Sequence, residues 1–284
     1  FQKNLDPSIM MVGEVWSSSS EIVKYSDDRL DYCFEFDLSS SIINAVKNNS
    51  FGNLKSKISE LQGLYPNSQY GSFLTNHDQN RSFEQIGYNL NKSKLAASLL
   101  LTLPGIPYVY YGEEIAMLGK KPDEDIRKPM QWSDAIYGGF SNSNPWRNLN
   151  NNYLEYNVEK MQKDKNSLWS HYSKFIKLRT KNKVISQGKV KMLESNNTDI
   201  FAYIKSFENS NMLIIHNFSS LDKKSFSINI NNSVLSAGNY NFKEIFNNSK
   251  IDGVEISSSS KLNFENESSV IKKHETLIFN IIKN

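Results

Sequence analysis

Cysteine occurs once in 284 residues, at Cys33, so the chain can form no internal disulfide. That leaves an extracellular location open, because many secreted bacterial proteins have none. No apolar run is long enough to cross a membrane. The longest, Ala96 to Tyr111, is interrupted by Pro104, Gly105 and Pro107 and falls short of about 20 clean residues. No signal peptide precedes the first core segment, and the chain opens at Phe1; we expect a cut end, with any targeting signal lost. Charge of one sign is also lacking. The net charge is +3 and no Lys/Arg cluster is interleaved with aromatics, which excludes nucleic acid as a natural partner. Arginine is sparse while Asn, Lys and Ser abound, a bias typical of AT-rich coding sequence. The same bias generates Asn-x-Ser/Thr triplets, such as Asn217-Phe218-Ser219 and Asn266-Glu267-Ser268, which we read as chance rather than glycosylation.

What is present suffices for one large domain or two ordinary ones, with 38% hydrophobic and 12% aromatic residues. The first part alternates strand-like and helix-like segments. Strands are expected over Ile9–Val15, Leu30–Leu38, Gly71–Thr75 and Ile106–Tyr111. Helices are expected over Ser39–Lys47, over Leu54–Leu64, from a Ser93 cap to Leu103, and after a cap at Asn166 or Ser167. A long loop, Gly112 to about Lys163, lies before the last of these, and such loops in compact domains are usually functional. Beyond Lys183 the texture changes to short alternating runs between Asn, Ser and Gly turns. Six strands are expected there, in a small antiparallel sandwich.

Strand followed by helix, repeated, implies parallel pairing. Four such units make half of an eight-fold barrel, and half a barrel leaves two open edges. The expected fold is therefore α/β: the second half of a (β/α)8 barrel over residues 1–183, then an all-β sandwich over 184–284, with the rest of the barrel supplied by a partner segment. Two strands run out into carboxylates. Met11-Val12-Gly13-Glu14-Val15-Trp16 delivers Glu14, and Ser72-Phe73-Leu74-Thr75-Asn76-His77-Asp78 delivers Asp78. Barrel chemistry sits at the C-terminal ends of the strands. A pair of carboxylates there is the raw material of glycoside hydrolysis.

Taken together, the chain resembles the C-terminal portion of the α-amylase family, glycoside hydrolase family 13. Gly13-Glu14-Val15-Trp16 resembles the end of barrel strand five, and Phe73-Leu74-Thr75-Asn76-His77-Asp78 the end of strand seven. Gly105-Ile106-Pro107-Tyr108-Val109-Tyr110-Tyr111-Gly112-Glu113-Glu114 resembles strand eight and its exit. Arg127-Lys128-Pro129-Met130-Gln131-Trp132, Gly138-Gly139-Phe140-Ser141 and Pro145-Trp146 resemble the loop of members bordering on α-glucosidases and oligo-1,6-glucosidases. Those relatives usually carry Thr where Lys128 stands.

The resemblance implies that Glu14 is the general acid/base, an acid that must hold its proton and so needs apolar surroundings or a nearby negative charge. It implies that Asp78 stabilises the oxocarbenium-like transition state and that His77 donates to the sugar hydroxyls. Arg81 is a candidate for orienting a carboxylate, with a surface arginine as the alternative. Asp125 and Arg127 are candidates for the terminal-glucose pocket, with a loop salt bridge as the alternative. Trp16, Tyr111, Trp132 and Trp146 either stack on sugar faces or belong to the core, and Asn76 fixes the strand-end backbone or touches sugar.

The family nucleophile, an Asp in a Gly-Phe-Arg-x-Asp-like segment at strand four, has no counterpart here. Asp6 precedes the first strand without that setting. The Asp-x-x-x-Asn-His segment near strand three and the usual calcium-bearing inserted domain are missing too, so the resemblance leaves room for calcium only in the absent part, and no cofactor or metal is expected of this chain. The expected activity of the parent is retaining hydrolysis of α-1,4-glucans or maltooligosaccharides, or α-glucosidase or oligo-1,6-glucosidase action, in a secreted or cell-surface protein. This chain alone is expected to be inactive, since losing the nucleophile removes the covalent step itself. A non-catalytic sugar-binding protein on the same fold is the alternative of another class.

Overall fold

Four short parallel strands, paired in chain order, frame the first part of a computed structural model that describes residue 6 and residues 8–26, 29–265 and 270–284. They are β1 (Val12–Gly13), β2 (Tyr32–Cys33), β3 (Gly71–Ser72) and β4 (Ile106–Pro107). Val12 lies opposite Tyr32, Phe34 bridges to Gly71, and Gly71 lies opposite Ile106. The ladders are shorter than the apolar runs suggest, but flanking bonds extend them: Phe34 N to Gly13 O is 3.0 Å and Tyr108 N to Ser72 O is 2.7 Å. Among the described residues β1 pairs only with β2 and β4 only with β3, so both edges of this half barrel are open. A side chain at Gly13 has no room: a Cβ there falls 2.5 Å from Leu30 Cδ1 and 2.6 Å from Cys33 Sγ. The strand end that carries Glu14 is thus packed directly against its neighbour.

Helices cover the outer side: α1 (Phe36–Asn48), α2 (Gly52–Leu64), α3 (Ser82–Ile86), α4 (Leu90–Thr102), α5 (Leu168–Lys181) and α6 (Lys183–Gln187). The strand expected over Leu30–Leu38 stops early, because the chain turns into α1 at Phe36. Glu35 N donates to Gly71 O at 2.9 Å just before that turn. The cap of α4 is Asn89, not Ser93: Asn89 Oδ1 accepts from Lys92 N at 3.1 Å, while Ser93 Oγ donates back to Asn89 O. Ser167 caps α5 by accepting from Ser170 N at 3.0 Å. The long loop is not bare: it contains short helical turns at Glu113–Ile115, Asp123–Ile126 and Ile136–Gly139 and a helix at Val158–Lys163.

The rest is antiparallel. A six-stranded sheet has the order β10 (Lys250–Ile256), β9 (Gly238–Glu244), β12 (Thr276–Lys283), β7 (Ser210–Asn217), β6 (Ile200–Phe207), β5 (Lys189–Leu193). A second sheet pairs β8 (Phe226–Asn229) with β11 (Lys261–Phe264). Phe226 and Phe264 stack at 4.5 Å, and Phe264 meets Phe279 of the large sheet, so the layers form a sandwich. Two strands, β5 and β10, go beyond the six expected from the sequence. The triplet Asn266-Glu267-Ser268 lies outside the described residues.

β6 and β7 are buried on both faces, so apolar residues fill both alternating positions in the middle of each strand. Phe201, Tyr203, Met212 and Ile214 join the core of the helical part, while Ile200, Ala202, Ile204, Leu213 and Ile215 face the second sheet. The seam also holds two buried cations. Arg179 donates to Leu101 O at 3.0 Å and Leu103 O at 3.1 Å, and Lys205 Nζ donates to Thr102 O at 3.1 Å. These are end-of-helix carbonyls of α4, which lack partners within the helix. Burial lowers the proton affinity of both, Arg179 to about 10.

Candidate active site

Residues that follow the four parallel strands line one cavity of about 200 Å³. Its polar wall is Glu14, Thr75, Asn76 and His77, and its apolar wall includes Phe34, Phe73, Tyr108 and Tyr110. The aromatic wall is continuous. Phe34 meets Phe73 at 5.5 Å and Tyr108 at 4.9 Å, and Phe36 meets Phe73 at 5.0 Å.

Glu14 is exposed at the cavity rim. Its Oε1 accepts from the Trp16 indole Nε1 at 3.0 Å. The apolar surroundings expected of a general acid are not supplied by Trp16, which is 61% exposed and packs on Phe36, ring to ring at 4.0 Å. Trp16 therefore orients the carboxylate by one hydrogen bond and does not line the cavity.

At the end of β3, Asn76 Oδ1 accepts from Asp78 N at 3.0 Å, an Asx turn that fixes the strand exit. His77 lines the cavity, with Nε2 3.5 Å from Asp78 Oδ2. The Asp78 carboxylate is engaged by Arg127, whose Nη2 donates to Oδ1 at 2.8 Å and to Asp123 Oδ2 at 2.9 Å. Arg127 Nε also donates to His77 O at 2.8 Å. One guanidinium thus clamps the strand-seven end to the loop after strand eight.

Like Trp16, the candidates Asp78, Arg127, Arg81 and Asp125 are not among the residues that line the cavity. Arg81 is 1% exposed and does not line the cavity. Its guanidinium is held 4.6 Å from the rings of both Tyr110 and Tyr111 and donates to Tyr111 O at 2.6 Å. The reason is sequence-distant: the aromatic exit of strand eight folds over it. Asp125 takes the loop-salt-bridge alternative, receiving Arg147 Nε at 3.0 Å and Nη2 at 2.9 Å, which lowers its proton affinity. Trp132 and Trp146 are half exposed and, with Phe140 and Tyr111, line a separate groove of about 400 Å³.

Behind the wall lies a buried group that the sequence pattern alone does not single out. Thr75 Oγ1 donates to Glu113 Oε1 at 2.6 Å, and Glu113 is 3% exposed. Burial pushes its carboxyl up to about 7, against the Thr75 bond and the Arg81 charge, which favour ionisation. Glu113-Glu114 follows the apolar Ile106–Tyr111 run after a single glycine, and a carboxylate so close to a buried strand end is the signal that could find it. Among the described residues no three His, Cys, Asp or Glu side chains converge as a metal site requires. Among them, no helix is long and apolar enough to cross a membrane.

Comparison with known proteins agrees with this architecture. The sequence profile of the alpha-amylase catalytic domain matches residues 1–188. The chain is 35% identical over 240 residues to alpha-amylase 3 of Dictyoglomus thermophilum, covering 82% of this chain and 47% of that protein. It is 30% identical over 261 residues to an oligo-1,6-glucosidase of Bacillus cereus, covering 74% of this chain and 47% of that one. The crystal structure of an alpha-amylase from H. orenii superposes with a TM-score of 0.79 at 29% identity, over 99% of this chain and 55% of its own. The chain spans about half the length of the curated relatives it matches. Its fold is accordingly the C-terminal half of the barrel with the β domain that follows it. With the parallel half barrel, the strand-end carboxylates and the profile match agreeing, this chain belongs to the α-amylase family, glycoside hydrolase family 13.

Proposed function

We propose that the whole protein is a retaining α-glucoside hydrolase acting on α-1,4-linked glucans or maltooligosaccharides. The observation that carries this reading is the shared cavity: Glu14 and His77, from strand ends far apart in the sequence, face one space walled by aromatic rings. Glu14 acts as general acid and then general base, with the Trp16 N–H directing its carboxylate. His77 donates to sugar hydroxyls. Asp78, released from part of its Arg127 contact, accepts from them and balances positive charge at the anomeric carbon. Arg127 carries the terminal-glucose contact as it swings between Asp78, Asp123 and the sugar.

A retaining mechanism also needs a nucleophile about 5 Å from the acid, on the other face of the sugar. We assign it, and any calcium site, to a first half of the barrel that docks along the open edges of β1 and β4. That half also encloses Glu14, which this chain leaves exposed. Alone, the chain is inactive. An oligo-1,6-glucosidase or α-glucosidase specificity is the second reading, favoured by the Arg127–Trp132 segment and by the 30% identity to the Bacillus cereus enzyme. We place the whole protein outside the cell or on its surface, where a polymeric glucan is met.

The test is an assay of maltotriose, starch and isomaltose cleavage by the 284-residue chain and by the full-length gene product. The reading expects an inert chain and a full-length protein that cleaves with retention of anomeric configuration. A full-length protein that binds maltotriose without cleaving any of the three is a sugar-binding protein. Turnover by the chain alone at ordinary enzyme rates defeats the assignment of the nucleophile.

A further inference from the structure

The wall of the cavity rests on a buried acid that the reaction itself does not use. Thr75 lines the cavity and donates its hydroxyl to Glu113 Oε1 at 2.6 Å. The residue after Thr75 is Asn76, whose side chain holds the Asp78 amide. Glu113 is therefore one hydrogen bond and a short stretch of rigid backbone away from the groups that face sugar. Its other oxygen, Oε2, has no hydrogen-bond partner among the described residues, and neither do Nε and Nη2 of Arg81.

We propose that Glu113 is a positioning residue for the site: through Thr75 it sets the geometry of the strand end presenting Asn76, His77 and Asp78, and it does so differently with and without its proton. The ionised carboxylate accepts strongly from Thr75, whereas a neutral carboxyl accepts more weakly and carries a proton that seeks an acceptor of its own. The groups around it pull in opposite directions. Arg81, just before α3, favours the anion. Glu114 on the same turn opposes it and has its own proton affinity raised by burial. Tyr172 of α5 faces the pair, its hydroxyl kept neutral by burial. Tyr110 and Tyr111 cover Arg81 and keep water from screening it. The balance leaves Glu113 titrating near neutrality, at about 7, so both geometries are accessible in ordinary conditions.

The proposal rests on reading the Asn76–Asp78 strand end as the sugar-facing one, but its test uses no sugar. The backbone amide resonances of Asn76 and Asp78 in the 284-residue chain are followed by NMR through neutral pH, with the Glu113 carboxyl followed by its carbon shift. The wild type is expected to show in these amides an inflection coinciding with the Glu113 titration. Glu113→Gln, which keeps an acceptor for Thr75 but cannot ionise, loses that inflection. Thr75→Val loses it while Glu113 still titrates, and Thr75→Ser restores it. An inflection that survives Thr75→Val is a through-space charge effect and overturns the proposal, as does a folded Glu113→Gln variant with the wild-type curve. Should Glu113→Gln fail to fold, the Val and Ser pair decides. Loss of this coupling leaves the glycosidase reading intact; intact coupling in a full-length protein that cleaves no glucan defeats that reading alone.

Discussion

Arg127 Nη2 lies 2.8 Å from Asp78 Oδ1, joining the loop after strand eight to the carboxylate at the end of strand seven. The same guanidinium holds the neighbouring His77 carbonyl, so two hydrogen bonds tie the strand end to the loop, and a third, to Asp123, fixes the guanidinium within its own loop.

Replacing Arg127 with Ala is expected to separate stability from activity. Both side chains of the ion pair are more than a third exposed, at 39% and 34%, so solvent screening limits its contribution to about 1 kcal/mol or less. In the full-length protein, loss of the clamp lets Asp78 wander, and kcat/KM should fall by about ten- to a hundredfold. Urea unfolding and steady-state kinetics check the two parts.

Glu14→Gln is expected to leave the fold alone. The side chain is exposed and its one hydrogen bond, from Trp16, can be accepted by an amide oxygen. Unfolding should change by no more than about 0.5 kcal/mol. Turnover of the full-length protein should drop roughly a hundred- to ten-thousandfold, the range for a lost general acid. A substrate with a leaving group that needs no proton should recover most of the first step.

Glu113 makes a pH-dependent contribution whose sign is unusual for a carboxylate. Its proton affinity is raised from 4.5 to about 7 in the folded chain, so between these values the folded state holds more protons than the unfolded one. Stability then falls as pH rises through that window, by about 3 kcal/mol at most. His216 acts in the opposite direction: burial lowers it from 6.5 to about 3, so its contribution is intact above 6.5 and is lost as pH falls toward 3. The difference between wild type and Glu113→Gln in urea unfolding at several pH values isolates the carboxylate. A difference that does not change across the window contradicts the buried-acid account.

Arg179→Met should destabilise the seam between the helical part and the sheet. It removes the donor to Leu101 O and Leu103 O and to Gly105 O, and a buried acceptor left without a partner costs about 1–3 kcal/mol. Relief from burying a cation offsets part of this. We expect a net loss of about 3 kcal/mol or more by urea unfolding; a gain would mean that the desolvation cost of Arg179 outweighs its hydrogen bonds.

Much of the fold could be read from local pattern. The α4 and α5 helices, the regular short strands after Lys183 and the parallel order of the first four strands follow from period, caps and turn residues. The cap expected at Ser93 lies a turn beyond the real one, because Ser93 is itself a good cap residue and only the Asn89 bond distinguishes them. β10 gave no signal: its register shifts between Ile251 and Val254, Gly253 sits at φ +68°, and most of its side chains are not buried, so no alternation is visible.

Chemistry divided in the same way. Glu14, His77 and Asp78 stand out because strand ends deliver side chains to a predictable rim, which is a local property of a short segment. Sequence alone therefore determined the family. Which carboxylates are held by which cations was decided only in three dimensions. Arg81 stands three residues after Asp78 yet is sealed between Tyr110 and Tyr111, whereas Arg127, 49 residues away, is the one that reaches Asp78. Glu113 meets Thr75 across 38 positions. Burial and pairing depend on which segments the folded chain brings together, and residue spacing along the sequence carries no record of that.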